Sequence, residues 1–265
     1  MTISIIVLLL TFIILLSLNI PIALAIGVST TLSMIVTIPI APALTTIAQQ
    51  MATGMNSFAL LAIPFFILSG YIMAQGGIAN RLINFAKVIV SSFPGGLAYV
   101  NIIACMFFGA ISGSAAAATS AVGGVMIPSM NKEGYDKNFN TALTVTASTT
   151  GLLIPPSNIL IIYSLASGGV SISALFIAGY IPGLLIGLSL IFVSMIMARI
   201  NSYPSGLKYG LKDIITRSFE ALPSLLLIYI VIGGIIKGIF TATEASAVAV
   251  LYSLFLAFLY KEIKL

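Results

Sequence analysis

"FFGAISGSAAAATSAVGG", residues 107 to 124, puts glycine, alanine and serine in the middle of a long apolar run. Drawn as one helix, residues 97 to 128 would measure about 48 Å, too long for one comfortable crossing of a ~30 Å hydrocarbon core. Divided at Ser112-Gly113-Ser114, the stretch gives arms of about 21 to 23 Å, too short to cross twice. That length suits a re-entrant hairpin, which reaches mid-membrane and turns back. Its tip, Ile111-Ser112-Gly113-Ser114, leaves backbone groups without helical partners, which only a protein-lined or watered cavity accommodates. The small residues of "AAAATSAVGG" then let the second arm pack closely.

The rest of the chain agrees with a membrane setting. Of 265 residues, 60% are hydrophobic and only 6% charged, against roughly 25% charged in soluble domains. The apolar runs are long and lack the alternation of a membrane barrel, so the fold class is all-α and integral to the membrane. No charged side chain occurs before Arg81. The first apolar segment therefore reads as a permanent helix rather than a leader with a basic start. Cys105 excludes an internal disulfide and reads as a small packing residue.

Residues 3 to 36 divide at Asn19-Ile20-Pro21 into two short helices. Residues 39 to 57 suit an interfacial segment, 58 to 75 a span, and 76 to 93 an amphipathic surface helix with Arg81 and Lys87. Beyond the hairpin lie a broken span (141 to 166), a further span (172 to 198), and a polar connection (199 to 221) with Arg199, Lys208, Lys212 and Arg217. Two more spans follow, 222 to 239 and 243 to 260. If residues 97 to 128 enter and leave on one face, ten of the eleven basic residues become cytoplasmic, Lys237 alone excepted. A full crossing would split the positive loops between the faces. The net charge of +5 thus reflects loop orientation and implies no nucleic-acid partner.

A second break is "STTGLLIPPSN", 148 to 158. Pro155 and Pro156 have no N–H, so the carbonyls of Gly151 and Leu152 lose their helical donors. Thr141, Thr144, Thr146, Ser148, Thr149, Thr150 and Ser157 crowd this segment with hydroxyls. Two broken elements meeting at mid-membrane make an ion and anion site: carbonyls and hydroxyls are hard neutral ligands, and half-helix N-termini attract a carboxylate. Ser114, Thr150, Ser157 and Asn158 are the polar candidates for holding that substrate. Histidine is absent, and no acid precedes Glu133. Since proton relays usually need such groups, this half points to Na⁺ rather than H⁺. The same absences, with no nucleophile beside a base, speak against an enzyme.

There is a faint internal repeat. "SLNIPIALAIGVSTTLSMIV" (17 to 36) and "GIFTATEASAVAVLYSLFLA" (238 to 257) each open with a polar break after an apolar helix and continue with small and apolar residues. Their opposite orientation in the topology above is how inverted repeats look from sequence. Glu244 and Lys237, the charges within the last pair of spans, read as a structural ion pair or as snorkelling side chains rather than substrate ligands.

At "FFGAISGSAAAATSAVG", "GLLIPPSN" and "GIFTATEASAVAV" the chain resembles, over essentially its whole length, the large membrane subunit (DctM-like) of tripartite ATP-independent periplasmic (TRAP) transporters. The resemblance implies an inverted-repeat elevator fold of the ion-transporter superfamily type. It also implies a bacterial inner-membrane location, with two partners: a small four-helix membrane subunit and a periplasmic substrate-binding protein. The cargo implied is a carboxylate-bearing organic acid carried with Na⁺. The family's first Na⁺ site falls here on Gly109 and Ser112 in the hairpin and on Gly151, Ile154 and Pro155 in the break. Gly109 can contribute only through its carbonyl.

Family members usually exceed 400 residues. Here residues 1 to 200 correspond to the first repeat, 201 to 221 to a cytoplasmic connection, and 222 to 265 to an incomplete second repeat. The chain is expected to be a fragment, or to be completed by a second chain. Two further readings remain open at this point: a stand-alone Na⁺/anion symporter of the same superfamily, and a non-transporting membrane scaffold or channel subunit.

Overall fold

The computed structural model describes residues 2–207 and 209–260. Lys208, Lys261 and Lys264, counted above with the basic loops, lie outside them. Among the described residues there are twelve α-helices and no β-strand.

The chain forms two compact units, Met1–Ser57 and Phe58–Leu265. The first holds α1 (Thr2–Ser17), α2 (Ile22–Ile35) and α3 (Ile40–Met55). The break between α1 and α2 falls at Asn19, which takes a left-handed φ of 62°, with Pro21 capping α2. The Ser33 hydroxyl donates to the Ser4 carbonyl at 2.8 Å and ties α2 back onto α1.

The second unit begins with a 3-10 turn (Phe58–Leu61), α4 (Ala62–Gln75) and α5 (Ile78–Val90). The hairpin region follows as α6 (Gly96–Ser112) and α7 (Ala115–Lys132). Gly113, at φ 61°, turns the chain between them, and the Ser114 hydroxyl caps α7 by accepting from the Ala117 N–H at 3.3 Å. The Asn101 amide reaches the Met130 sulfur at 3.8 Å, so the arms run side by side in opposite directions. At 17 and 18 residues they measure about 26 and 27 Å, longer than the sequence division implied, because α6 starts at Gly96 and takes in Ser112 and α7 continues to Lys132. Leu97 from the start of α6 and Ser129, Lys132 and Glu133 from the end of α7 line one cavity of about 370 Å³. Both ends of the hairpin therefore share one end of the fold. Lys87 lines the same cavity. Burial, and then the Arg217 guanidinium, hold its ammonium below the usual lysine range.

Beyond the hairpin, α8 (Lys137–Ser148) packs against both arms. A 3-10 turn (Thr149–Leu152), a cis Pro155–Pro156 peptide and α9 (Asn158–Ala166) complete the second break. Then come α10 (Ile172–Ile200), α11 (Leu211–Ile236) and α12 (Ala242–Leu259). Residues 58–75, α10, α11 and α12 are long and apolar enough to cross a membrane.

Three readings of the sequence change. The connection 201–221 is helical from Leu211 onward, where Asp213 starts the helix by accepting the Gly210 N–H at 3.3 Å. The apolar stripe of α5 does not wait for lipid, since Ile78, Leu82, Ile83 and Ala86 are buried and the helix packs on α6 and α11. Glu244 is no ion-pair partner of Lys237: its Oε2 accepts the Thr241 N–H and hydroxyl, both at 2.8 Å, in a capping box at the start of α12. The turn between α11 and α12 passes through Gly238 at φ 70°, and the turn between α1 and α2 through Asn19 at φ 62°.

In α12, Ala242, Ser246, Ala249, Ser253 and Ala257 are buried. This small-residue stripe lets α4 approach closely, and the buried hydroxyls of Ser69 and Ser253 meet at 3.2 Å.

Candidate functional site in the hairpin and the broken helix

The tip of the α6–α7 hairpin and the break between α8 and α9 meet backbone to backbone. A Cβ on Gly109 would stand 2.5 Å from the Gly151 Cα, so neither position accepts a side chain without moving the other. One on Gly113 would stand 2.5 Å from the Pro156 carbonyl oxygen, and the Asn158 N–H donates to the Gly113 carbonyl at 3.4 Å. The N-termini of α7 and α9, capped by Ser114 and Ser157, are thereby brought together with their partial positive charge.

Eight of the nine residues singled out from sequence, Gly109, Ser112, Thr150, Gly151, Ile154, Pro155, Ser157 and Asn158, are buried. Ser114 is half-buried at the tip. Ser112 contacts its own turn only at 3.4 Å, donating to the Ser114 carbonyl and accepting from the Ser114 N–H. The Thr150 carbonyl accepts both the Leu153 and Ile154 N–H groups, at 3.0 and 2.8 Å. The Leu152 carbonyl, orphaned by Pro156, is satisfied by the Ser157 hydroxyl at 2.5 Å. Among the described residues no hydrogen bond reaches the carbonyls of Gly151, Ile154 or Pro155. The Ile154 side chain faces α10, where a Cβ on Gly183 would stand 2.5 Å from its Cγ1; only its carbonyl can turn to the hairpin.

The hydroxyl crowd turns its protons to the backbone. All seven donate to nearby backbone carbonyls, as Thr150 does to Ala147 at 2.6 Å and Ser148 to Thr144 at 2.8 Å. This satisfies their protons locally and leaves lone pairs as the only chemistry they can offer a ligand. Asn158 is the exception among the polar groups: its Oδ1 is buried and without a partner. Among the described residues no group of three His, Cys, Asp or Glu could hold a metal.

Some contributors were not read from sequence. Gly70 of α4 seats Ser112, since a Cβ there would stand 2.6 Å from the Ser112 Cβ. Gly179, Gly183 and Gly187 form one stripe of α10 against Leu153, Ile154 and Met106; their four-residue spacing is the signal that could have revealed it. Asn101, buried in α6, donates to Thr144 of α8 at 2.7 Å and joins the hairpin to the broken helix.

Residues 9–265 match the family model of the tripartite ATP-independent periplasmic transporter, DctM component. The chain is similar to the uncharacterized protein YgiK of Salmonella typhimurium, with 52% identity over 235 residues, covering 89% of this chain and 54% of that protein. It is 44% identical over 247 residues to the C4-dicarboxylate TRAP transporter large permease protein DctM of Vibrio cholerae, covering 86% of this chain and 54% of that one. To the sialic acid TRAP transporter large permease protein SiaM of the same organism it is 44% identical over 209 residues, covering 79% and 49%. The chain spans about half the length of these curated relatives. With its apolar helices and this match along nearly all its residues, the protein is a multi-pass membrane protein of the DctM family of TRAP transporter large permeases.

Proposed function

We propose that this chain forms part of the large membrane subunit of a Na⁺-coupled secondary importer of small organic acids in the bacterial inner membrane. It works with a small four-helix membrane subunit and a periplasmic substrate-binding protein. The relatives named for C4-dicarboxylate and sialic acid support a carboxylate-bearing cargo. The remaining elements of the inverted-repeat, elevator-type machine come from sequence that those relatives carry beyond the match, here in the same chain or a second one.

The observation that carries the reading is the Gly109–Gly151 crossing. It brings the hairpin that carries Ser112 against the broken segment that carries the unpaired carbonyls of Gly151, Ile154 and Pro155. Backbone carbonyls at membrane depth need a partner, and a hard monovalent cation suits neutral oxygens. These residues, with the Gly109 carbonyl beside them, would hold Na⁺; the ion would supply positive charge that favours an anionic substrate nearby. The N-termini of α7 and α9 would orient a carboxylate through their N–H groups, with Ser114 and the Asn158 amide as further donors; Thr150 and Ser157, whose protons are held by the Ala147 and Leu152 carbonyls, would shape the site's wall. In this reading the hairpin is re-entrant, its tip at mid-membrane.

The test is uptake against Na⁺ concentration in a complete transporter containing this half, reconstituted with its binding protein. Pro155→Ala provides an N–H that can close on the Gly151 carbonyl. Ser112→Ala removes one oxygen. Loss of a ligand weakens apparent Na⁺ affinity by roughly 5- to 150-fold, from the ~1–3 kcal/mol of an unsatisfied buried polar group. If both variants transport with wild-type Na⁺ dependence, the cation is held elsewhere.

A further inference from the structure

A groove of about 320 Å³ lies between the end of α10 and the turn that joins α5 to α6, lined by Val90, Phe93, Tyr99, Ile191, Met195 and Arg199 among others. Ile191, Met195 and Arg199 are successive at four-residue spacing and form one stripe of α10. The stripe is apolar for two turns and ends in a guanidinium. Among the described residues, the lining holds no carboxylate to neutralise Arg199.

Where the groove sits decides what it meets. The helix α10 is a candidate membrane span, and Arg199 occupies its last turn. Phe93 and Met195 are exposed, at 57% and 41%. Arg199 belongs with the basic residues whose distribution assigns this end to the cytoplasmic face, where anionic lipids concentrate.

We propose that this groove binds one anionic phospholipid of the cytoplasmic leaflet. Its phosphodiester sits on Arg199, and one acyl chain runs along Met195 and Ile191 against Val90 and Phe93. The gradient from cation to apolar wall along one helix stripe matches the gradient from headgroup to chain in such a lipid. A guanidinium reads a phosphodiester through paired N–H donors. The inference needs α10 to span the membrane with Arg199 at its cytoplasmic end, and is independent of the proposed cargo and cation.

Native mass spectrometry of the purified chain in detergent, titrated with phosphatidylglycerol or with phosphatidylcholine of the same acyl chains, tests it. Phosphatidylglycerol should bind about five-fold more tightly, the effect of one basic side chain at an anionic surface. Arg199→Gln should abolish that preference, and Arg199→Lys should restore most of it. Met195→Trp should fill the groove and lower binding of both lipids while Arg199 remains. Equal binding of the two lipids by the wild type overturns the proposal, as does a preference that survives Arg199→Gln or binding indifferent to Met195→Trp. A cysteine at position 195 that cross-links in native membranes to a small membrane subunit would assign the groove to protein instead.

Discussion

Gly109 and Gly151 touch through bare backbone: a Cβ built on Gly151 falls 2.6 Å from the Gly109 Cα, as close as the reverse construction. Gly109→Ala or Gly151→Ala must therefore part the hairpin from the broken helix. Each should cost about 1–3 kcal/mol, the usual penalty of overpacking, read as a lowered Tm in detergent. The double variant should cost less than the sum, because the first methyl has already opened the gap. Strict additivity would mean that the two glycines do not share a contact.

Both ends of the α6–α7 hairpin line one cavity, so a cysteine at exposed Ser92 and one at exposed Glu133 should label from the same side of the membrane. The experiment uses membrane-impermeant maleimide in a Cys105→Ala background. Labelling from opposite sides would show that the hairpin crosses.

Asn158 carries a buried, unpaired Oδ1. Asn158→Leu keeps the volume and removes an acceptor with nothing to lose, so thermal stability should hold within roughly 0.5 kcal/mol or rise. Uptake by a complete transporter should nevertheless fall, with a raised half-saturating substrate concentration, because the Nδ2 donors that a carboxylate would use are lost with the acceptor. Full uptake in this variant would show that the amide faces no ligand.

At the start of α12 the capping box should be worth more than any charge pairing. Thr241→Ala should cost about 1 kcal/mol, the usual value of a lost N-cap. Lys237→Gln should leave Tm unchanged, since Glu244 is engaged by Thr241. A loss with Lys237→Gln equal to that with Thr241→Ala would return the pair to an electrostatic role.

Lys87 is held below the ordinary lysine range by burial and by Arg217. A lysine with a lowered folded pKa opposes folding while both states are charged. That penalty is fully present below the folded pKa and disappears as pH rises past the unfolded value of about 10.4. Lys87→Gln should accordingly raise Tm at pH 7, and the gain should shrink as pH approaches 10. A gain that is constant across that range would trace to packing instead.

Membrane residence, the two breaks and their proximity to small residues were legible in the chain itself, because their causes are local. A proline removes a donor from its own helix, and Gly113 turns wherever the chain needs a positive φ. Charge counting around 97 to 128 puts both hairpin ends on one face of the membrane, the expectation that the labelling experiment tests. The family resemblance rests on the same local stretches.

Other features depended on which surfaces met. Nothing in "FFGAISG" or "STTGLLIPP" alone shows that Gly109 faces Gly151, that Gly70 seats Ser112, or that Gly183 turns the Ile154 side chain away. Those contacts join residues about 30 to 40 positions apart, and interlocking helix surfaces choose them where only a missing Cβ permits approach. Likewise, the hydroxyls around Thr150 look alike as sequence, yet the folded backbone takes up their protons and leaves Asn158 unpaired. The sequence by itself determined where the helices must break; the tertiary structure decided what each break faces, because sterics across the packed interface act between residues that no local pattern connects.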